Sequence, residues 1–227
     1  MDIKIEHKPA FAAAVIKLAS GEQFAAENGA MVSMSSNIRV ETSSKAIGGK
    51  GGLLKSVGRL LGGESFFNNV FTAEGAAGEV VIAPSLIGDV ERYDLNNQAL
   101  VVQSRSWLGS GPGVGLETTW GGMKSFFGGE GLFFLRLSGS GPVLFNAFGA
   151  IHLIEVDGKF VLDTGHIVAF EESLNFKVKK VGGLFATVFS GEGLVCEFEG
   201  KGKLWIQTRN PKEFGSYVGH KLPPREQ

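Results

Sequence analysis

A glycine–glutamate motif recurs three times in the chain and constrains its fold more than any other feature. Residues 62–67 read Gly-Gly-Glu-Ser-Phe-Phe, 128–133 read Gly-Gly-Glu-Gly-Leu-Phe and 190–195 read Ser-Gly-Glu-Gly-Leu-Val. Their carboxylates, Glu64, Glu130 and Glu192, are 66 and 62 residues apart. Self-similarity at a fixed period signals a structural unit built several times over, here of about 60 to 65 residues. Downstream of each motif a strand-like segment meets glycines and then a second apolar run. The glycines are Gly75 and Gly78 before Val80-Val81-Ile82, Gly139 and Gly141 before Val143-Leu144-Phe145, and Gly200 and Gly202 before Leu204-Trp205-Ile206. Strand, glycine turn, strand predicts a β-hairpin in each copy. Upstream, Gly29–Met34, Ala99–Val102 and Gly165–Phe170 form a second recurrent block. It is followed by alternating segments at Ile38–Thr42, Val114–Thr119 and Leu174–Val178.

The fold class that follows is all-β, with three pseudo-equivalent antiparallel β repeats packed around a shared core in two layers, as a β-sandwich or double-stranded β-helix. Glycine at 34 residues and Phe at 18 agree with short strands, tight turns and an aromatic interior. The repeats fall at about 1–85, 86–150 and 151–227, inside one compact domain spanning 1–227. No Ser/Pro-rich spacer divides them, and a unit of this size alone is marginal, so the copies are expected to bury one another. Residues 43–59, glycine-rich with Lys45, Lys50, Lys55 and Arg59, read as an insertion in the first copy. The polar stretch 211–227, with Pro223-Pro224, reads as a loosely held, flexible tail.

Twenty-two Lys plus Arg against 23 Asp plus Glu give a net charge of −1, which provides no global field for nucleic acid or an anionic membrane. The single Cys196 excludes an internal disulfide, and with Leu194 and Phe198 on the same strand face it reads as a buried structural thiol. The N-terminus has acidic Asp2 and Glu6 ahead of its apolar section and lacks a small-residue cleavage site, a poor match to a signal peptide. No apolar run reaches the about 18 residues of a membrane-spanning helix. The expected location is cytoplasmic, with a peripheral membrane position left open.

Taken in order, Gly29-Ala30-Met31-Val32-Ser33-Met34, Leu61–Phe67, Gly128–Phe133 and Ser190–Leu194 resemble the family named for altered inheritance of mitochondria protein twenty-four. The resemblance runs from Pro9 to about Asn210. It implies a fold grouped with the trp RNA-binding attenuation protein, made of double-layered antiparallel β units repeated within the chain. It implies no reaction, since the mitochondrial relative is associated with inner-membrane organisation rather than catalysis.

Glu64, Glu130 and Glu192 have two readings. Three carboxylates meeting on an axis would suit a hard cation such as Ca²⁺ or Mg²⁺, whereas one acceptor at the start of each glycine-flanked turn is structural chemistry. Recurrence in every copy favours the structural reading, and no catalytic, cofactor-binding or metal residue is assigned. Phe126, Phe127, Phe133, Phe134, Phe145 and Phe148 have only Lys124 and Arg136 as basic neighbours, so they read as core rather than a base-stacking platform. His7, His152, His166 and His220 lack metal-ligand spacing. The glycine loops at 48–52 and 109–115 fail the phosphate-loop pattern, and no Gly-x-Ser-x-Gly elbow appears. The sequence therefore points to a non-enzymatic scaffold or assembly factor without a cofactor. A homo-oligomer is expected, membrane-associated proteins are candidate partners and nucleic acid is disfavoured. The alternative is a binding module for a small ligand or nucleic acid.

Overall fold

A computed structural model of the chain describes residues 1–43, 68–117, 133–180 and 194–223. The alternation of apolar and polar residues sets the strands. In β2 (Ala13–Leu18), Ala14, Ile16 and Leu18 are buried and Lys17 points out, the period of two that a half-buried strand requires. β1 (Asp2–Glu6) pairs antiparallel with its outer edge. The remaining strands of the first unit are β3 (Gln23–Glu27), β4 (Met31–Met34), β5 (Ile38–Ser43), β6 (Asn68–Ala73) and β7 (Gly78–Ile82). The second comprises β8 (Val90–Gln103), β9 (Trp107–Ser110), β10 (Val114–Glu117) and β11 (Phe134–Asn146). The third comprises β12 (Ile151–Asp163), β13 (Ile167–Glu171), β14 (Asn175–Lys180) and β15 (Leu194–Gln207), and a helix, α1 (Pro211–Gly219), follows.

One pairing scheme occurs three times. β8 runs against β11 from Val90 opposite Asn146 to Gln103 opposite Phe134, and β12 runs against β15 from Ile151 opposite Gln207 to Asp163 opposite Val195. In the first unit the same ladder is divided: β2 pairs β7 from Ala14 opposite Ile82, and β3 pairs β6 up to Glu27 opposite Asn68. β4, β9 and β13 each lie on the last part of the returning strand, and β5, β10 and β14 each on the first. Among the described residues the molecule is all-β apart from α1 and short turns, in large antiparallel sheets.

Two local expectations are corrected. Glycine between two apolar runs makes a turn only in the first unit, where Gly75 has φ +72° between β6 and β7. In the second and third units, β11 and β15 pass through their glycines as single long strands. Gly139 has φ +116° at a register shift in β11, and Gly200 has φ +134° in β15. These glycines make bends, which re-aim a strand while preserving its ladder. The second correction concerns alignment. The counterpart of β4 and β13 in the second unit is Trp107–Ser110, while Ala99–Val102 belongs to the end of β8. Trp-Leu-Gly-Ser is buried throughout and so lacks the alternation by which strands are recognised.

No unit keeps a private interior. Leu108 and Leu144 of the second unit pack into the core of the first, Val168, Ala169 and Trp205 of the third into the core of the second, and Val101 and Phe134 of the second into that of the third. The rings of Tyr93 and Phe145 meet Trp205 edge-on at 5.3 and 5.5 Å, and Phe134 meets Phe170 at 5.8 Å. Each large side chain fully buried in this way stabilises by roughly 1.5–3 kcal/mol. An exposed ion pair between units, such as Lys8 with Glu91 at 2.6 Å, contributes about 0–1 kcal/mol. Apolar packing therefore holds the units together.

Candidate functional site

The units join edge to edge. β9 pairs with β3 of the preceding unit, Ala25 opposite Ser110 and Ala26 opposite Gly109. β13 pairs with β8 in the same way, Ala169 opposite Val102 and Phe170 opposite Val101. Both joining strands are buried along their length except the last residue of β13. The corresponding strand of the first unit, β4, pairs only with β7, and β12, the strand that would receive it, pairs only with β15 among the described residues. The contrast in exposure is large: Met31, Val32 and Met34 are 42, 62 and 43 % exposed, and Val161 on β12 is 56 % exposed. β4 reads Met-Val-Ser-Met, without the charge or proline that usually protects an exposed edge.

A cavity of about 420 Å³ lies where α1 returns to the end of the third unit. Its walls carry Leu86, Phe148, Leu194 and Pro211, and its floor carries Gln103, Ser106, Asn146, Thr164 and Gln207. Asn210 caps α1, its Oδ1 accepting from the Lys212 amide at 3.0 Å, and Pro211 occupies the helix start, where its missing N–H costs nothing. Phe214 then meets Phe148 with ring centroids 5.1 Å apart. The Asn210 side chain also sits where a Cβ on Gly165 would fall, within 2.3 Å of that position. Gln207 is satisfied at both ends: its Nε2 donates to the Gly165 carbonyl at 2.8 Å and its Oε1 accepts from the Phe148 amide at 2.9 Å. Gln103 Oε1 accepts from Ser106 Oγ at 3.3 Å. Asn146 and Thr164, 8 and 3 % exposed, have no side-chain hydrogen bond to another described residue. Arg105, Asp163, Lys212 and Glu213 stand around the cavity.

Comparison with known proteins places this architecture. The family described as mitochondrial biogenesis AIM24 matches residues 3–209. The chain belongs to that family. An uncharacterized protein of Streptococcus pyogenes serotype M6 is 28% identical to this AIM24 chain over 228 residues, covering 98% of the chain and 92% of the relative. The crystal structure of a Streptococcus pyogenes protein superposes with a TM-score of 0.80 at 25% identity, covering 97% of this chain and 99% of the other.

The AIM24 fold disposes of several residues singled out by sequence. Glu64, Glu130 and Glu192 lie outside the described residues, as do Phe126, Phe127, the glycine loop at 48–52 and most of the insertion at 43–59. Phe134 and Phe145 are core, 5 and 0 % exposed, while Phe148 borders the cavity. His166 Nδ1 is 2.7 Å from the Gln207 carbonyl and His220 Nδ1 is 2.6 Å from the Ser216 carbonyl, so both rings are held by backbone. Among the described residues no group of three His, Cys, Asp or Glu could hold a metal ion, and no helix is long and apolar enough to cross a membrane. Burial pushes the Cys196 thiol up to about 12, so it carries no reactive thiolate at neutral pH. A second hollow, between β8, β11 and the end of β13, is lined by paired groups: Arg136 donates to Glu172 through Nε and Nη2 at 2.7 and 3.0 Å, and Tyr93 donates to Glu171 at 3.0 Å. Desolvation first, then Glu171, raises the Tyr93 phenol to about 12.

The open seam and the cavity both escaped the sequence reading. β4 was visible as part of a recurrent block, but its lack of a partner is a property of its neighbours. Asn146, Thr164 and Asn210 sit in three different segments, with no spacing to connect them. Asn210-Pro211 was the one local signal, a helix start by composition, inside a segment read as a tail.

Proposed function

We propose that this chain is a non-enzymatic scaffold that assembles head to tail with further copies of itself, β4 of one copy pairing with β12 of the next. The carrying observation is the seam that is filled twice within the chain and left open a third time. Both filled seams specify the same register. Transferred to the open edges, it sets Ser33 opposite Leu162 and Met34 opposite Val161. The exposed groups agree in chemistry, since Met31, Val32 and Met34 would meet Val161 and its neighbours, apolar against apolar. An unprotected edge strand is a template for pairing with another chain. A contact of this kind is heterologous, using two different surfaces, and produces rings where the rotation closes and filaments where it does not. The non-enzymatic reading is supported by ionisable groups that are taken up in pairs, as Arg136 with Glu172 and Lys8 with Glu91, and by a cysteine that is buried and protonated.

Two single substitutions test the arrangement. Val32→Lys and Val161→Lys change exposed side chains, so both variants keep the native fold by circular dichroism. In sedimentation velocity the natural chain associates with rising concentration and each variant alone is monomeric. An equimolar mixture of the two gives a discrete dimer, because each variant retains the edge that the other has lost. A natural chain that stays monomeric at high micromolar concentration, or a mixture that fails to pair while the natural chain associates, removes the proposal.

A further inference from the structure

We propose that the cavity beneath α1 binds a small, uncharged, polyhydroxylated molecule of about monosaccharide size, independently of the open seam. The volume of about 420 Å³ lies in the range of small-molecule sites and far exceeds the roughly 30 Å³ share of one water. Asn146 and Thr164 are both more than nine-tenths buried, border this space, and have no side-chain hydrogen bond to another described residue. Their polar atoms open onto the cavity and are not sealed from solvent, so an occupant that hydrogen-bonds can take the place of water on both.

The chemistry of those two side chains narrows the class. A carboxamide donates and accepts, and so does a hydroxyl. A carboxylate or phosphate only accepts, leaving the Asn146 oxygen unsatisfied; an ammonium only donates, leaving the Asn146 amino group unsatisfied. A hydroxyl of the ligand answers both. Charge agrees, because Arg105 and Lys212 are offset by Asp163 and Glu213, so that among the described residues the lining has no net sign to select an ion. Leu86, Phe148 and Pro211 provide an apolar wall against which the C–H face of a sugar ring or cyclitol can lie. Gln207, fixed at both ends, keeps the floor rigid and adds no unsatisfied group.

The test uses the full chain with glucose, galactose and myo-inositol as neutral probes, and glucose 6-phosphate and glucosamine as charged counterparts. Ligand-observed NMR and thermal shift are the readouts. At least one neutral probe is expected to bind saturably and raise the melting temperature, and its charged counterpart to bind more weakly. Thr164→Val and Asn146→Leu each weaken binding by about fivefold or more, the scale of one net hydrogen bond. Ser216→Trp abolishes it by filling the cavity from the exposed face of α1, a position where folding is not at stake. Absence of binding by all neutral probes at tens of millimolar, preference for a charged probe, or unchanged binding in Ser216→Trp overturns the proposal.

Discussion

Glu27 shows how one residue's setting becomes a property of the whole chain. It ends β3 opposite Asn68, and burial raises its carboxyl to about 7, with Arg105 pulling weakly the other way. A carboxyl raised in the folded state binds a proton that the unfolded chain has already lost between about pH 4.5 and 7. The contribution of Glu27 is therefore most favourable below pH 4.5 and is lost as pH rises through 7. Glu27→Gln removes the penalty of ionisation while keeping the shape. The variant is expected to be more stable than the natural chain at pH 8, by up to about 3 kcal/mol, with the difference vanishing near pH 4.5. Denaturant unfolding at the two pH values reads it directly, and equal stability at pH 8 refutes it. The residue itself is plain in the sequence, but burial is not, because Gln-Phe-Ala-Ala-Glu looks like any strand ending at the surface.

At the scale of elements, the recurring glycines were the most legible signal and the most misread. Their recurrence drew attention to a repeated strand arrangement because a bend must recur wherever such an arrangement recurs. Their meaning was lost because the same glycine serves a turn and a bend, and only the partner strand distinguishes them. Gly139 and Gly158 separate the two demands that such positions make. Both have positive φ, +116° and +108°, but a Cβ at Gly139 would lie 2.2 Å from the Gly113 carbonyl oxygen, while at Gly158 it would meet nothing within 4 Å. Gly158→Ala is expected to cost only backbone strain, about 1–3 kcal/mol. Gly139→Ala adds a collision with backbone that cannot rotate away, and should cost about 1–3 kcal/mol more. Chemical denaturation of the two variants side by side checks the ordering, and equal losses would show that β11 has room to move.

For the whole molecule, the three units are linked through exchanged core residues more than through the chain. Trp205 belongs to the third unit and packs among residues of the second, and Leu144 belongs to the second and packs among residues of the first. Removing one unit therefore exposes the apolar surface of another, and a unit of about 60 residues is marginal on its own. That argument was available from the sequence, where the copies follow one another without a spacer. Which edge remains open was not, since β4, β9 and β13 are each short and apolar, and only the order of the units decides which one lacks a predecessor. Interlocking predicts a single cooperative unfolding transition. Two of the three tryptophans, Trp107 and Trp205, lie in the core of the second unit, so fluorescence of a Trp120→Phe background reports that core, and far-UV circular dichroism reports the strands of all three. The two signals should trace coincident curves against denaturant, with one midpoint. Fluorescence changing at a different concentration from circular dichroism would mean that the units separate before they unfold, and that the exchanged side chains couple them less than their burial implies.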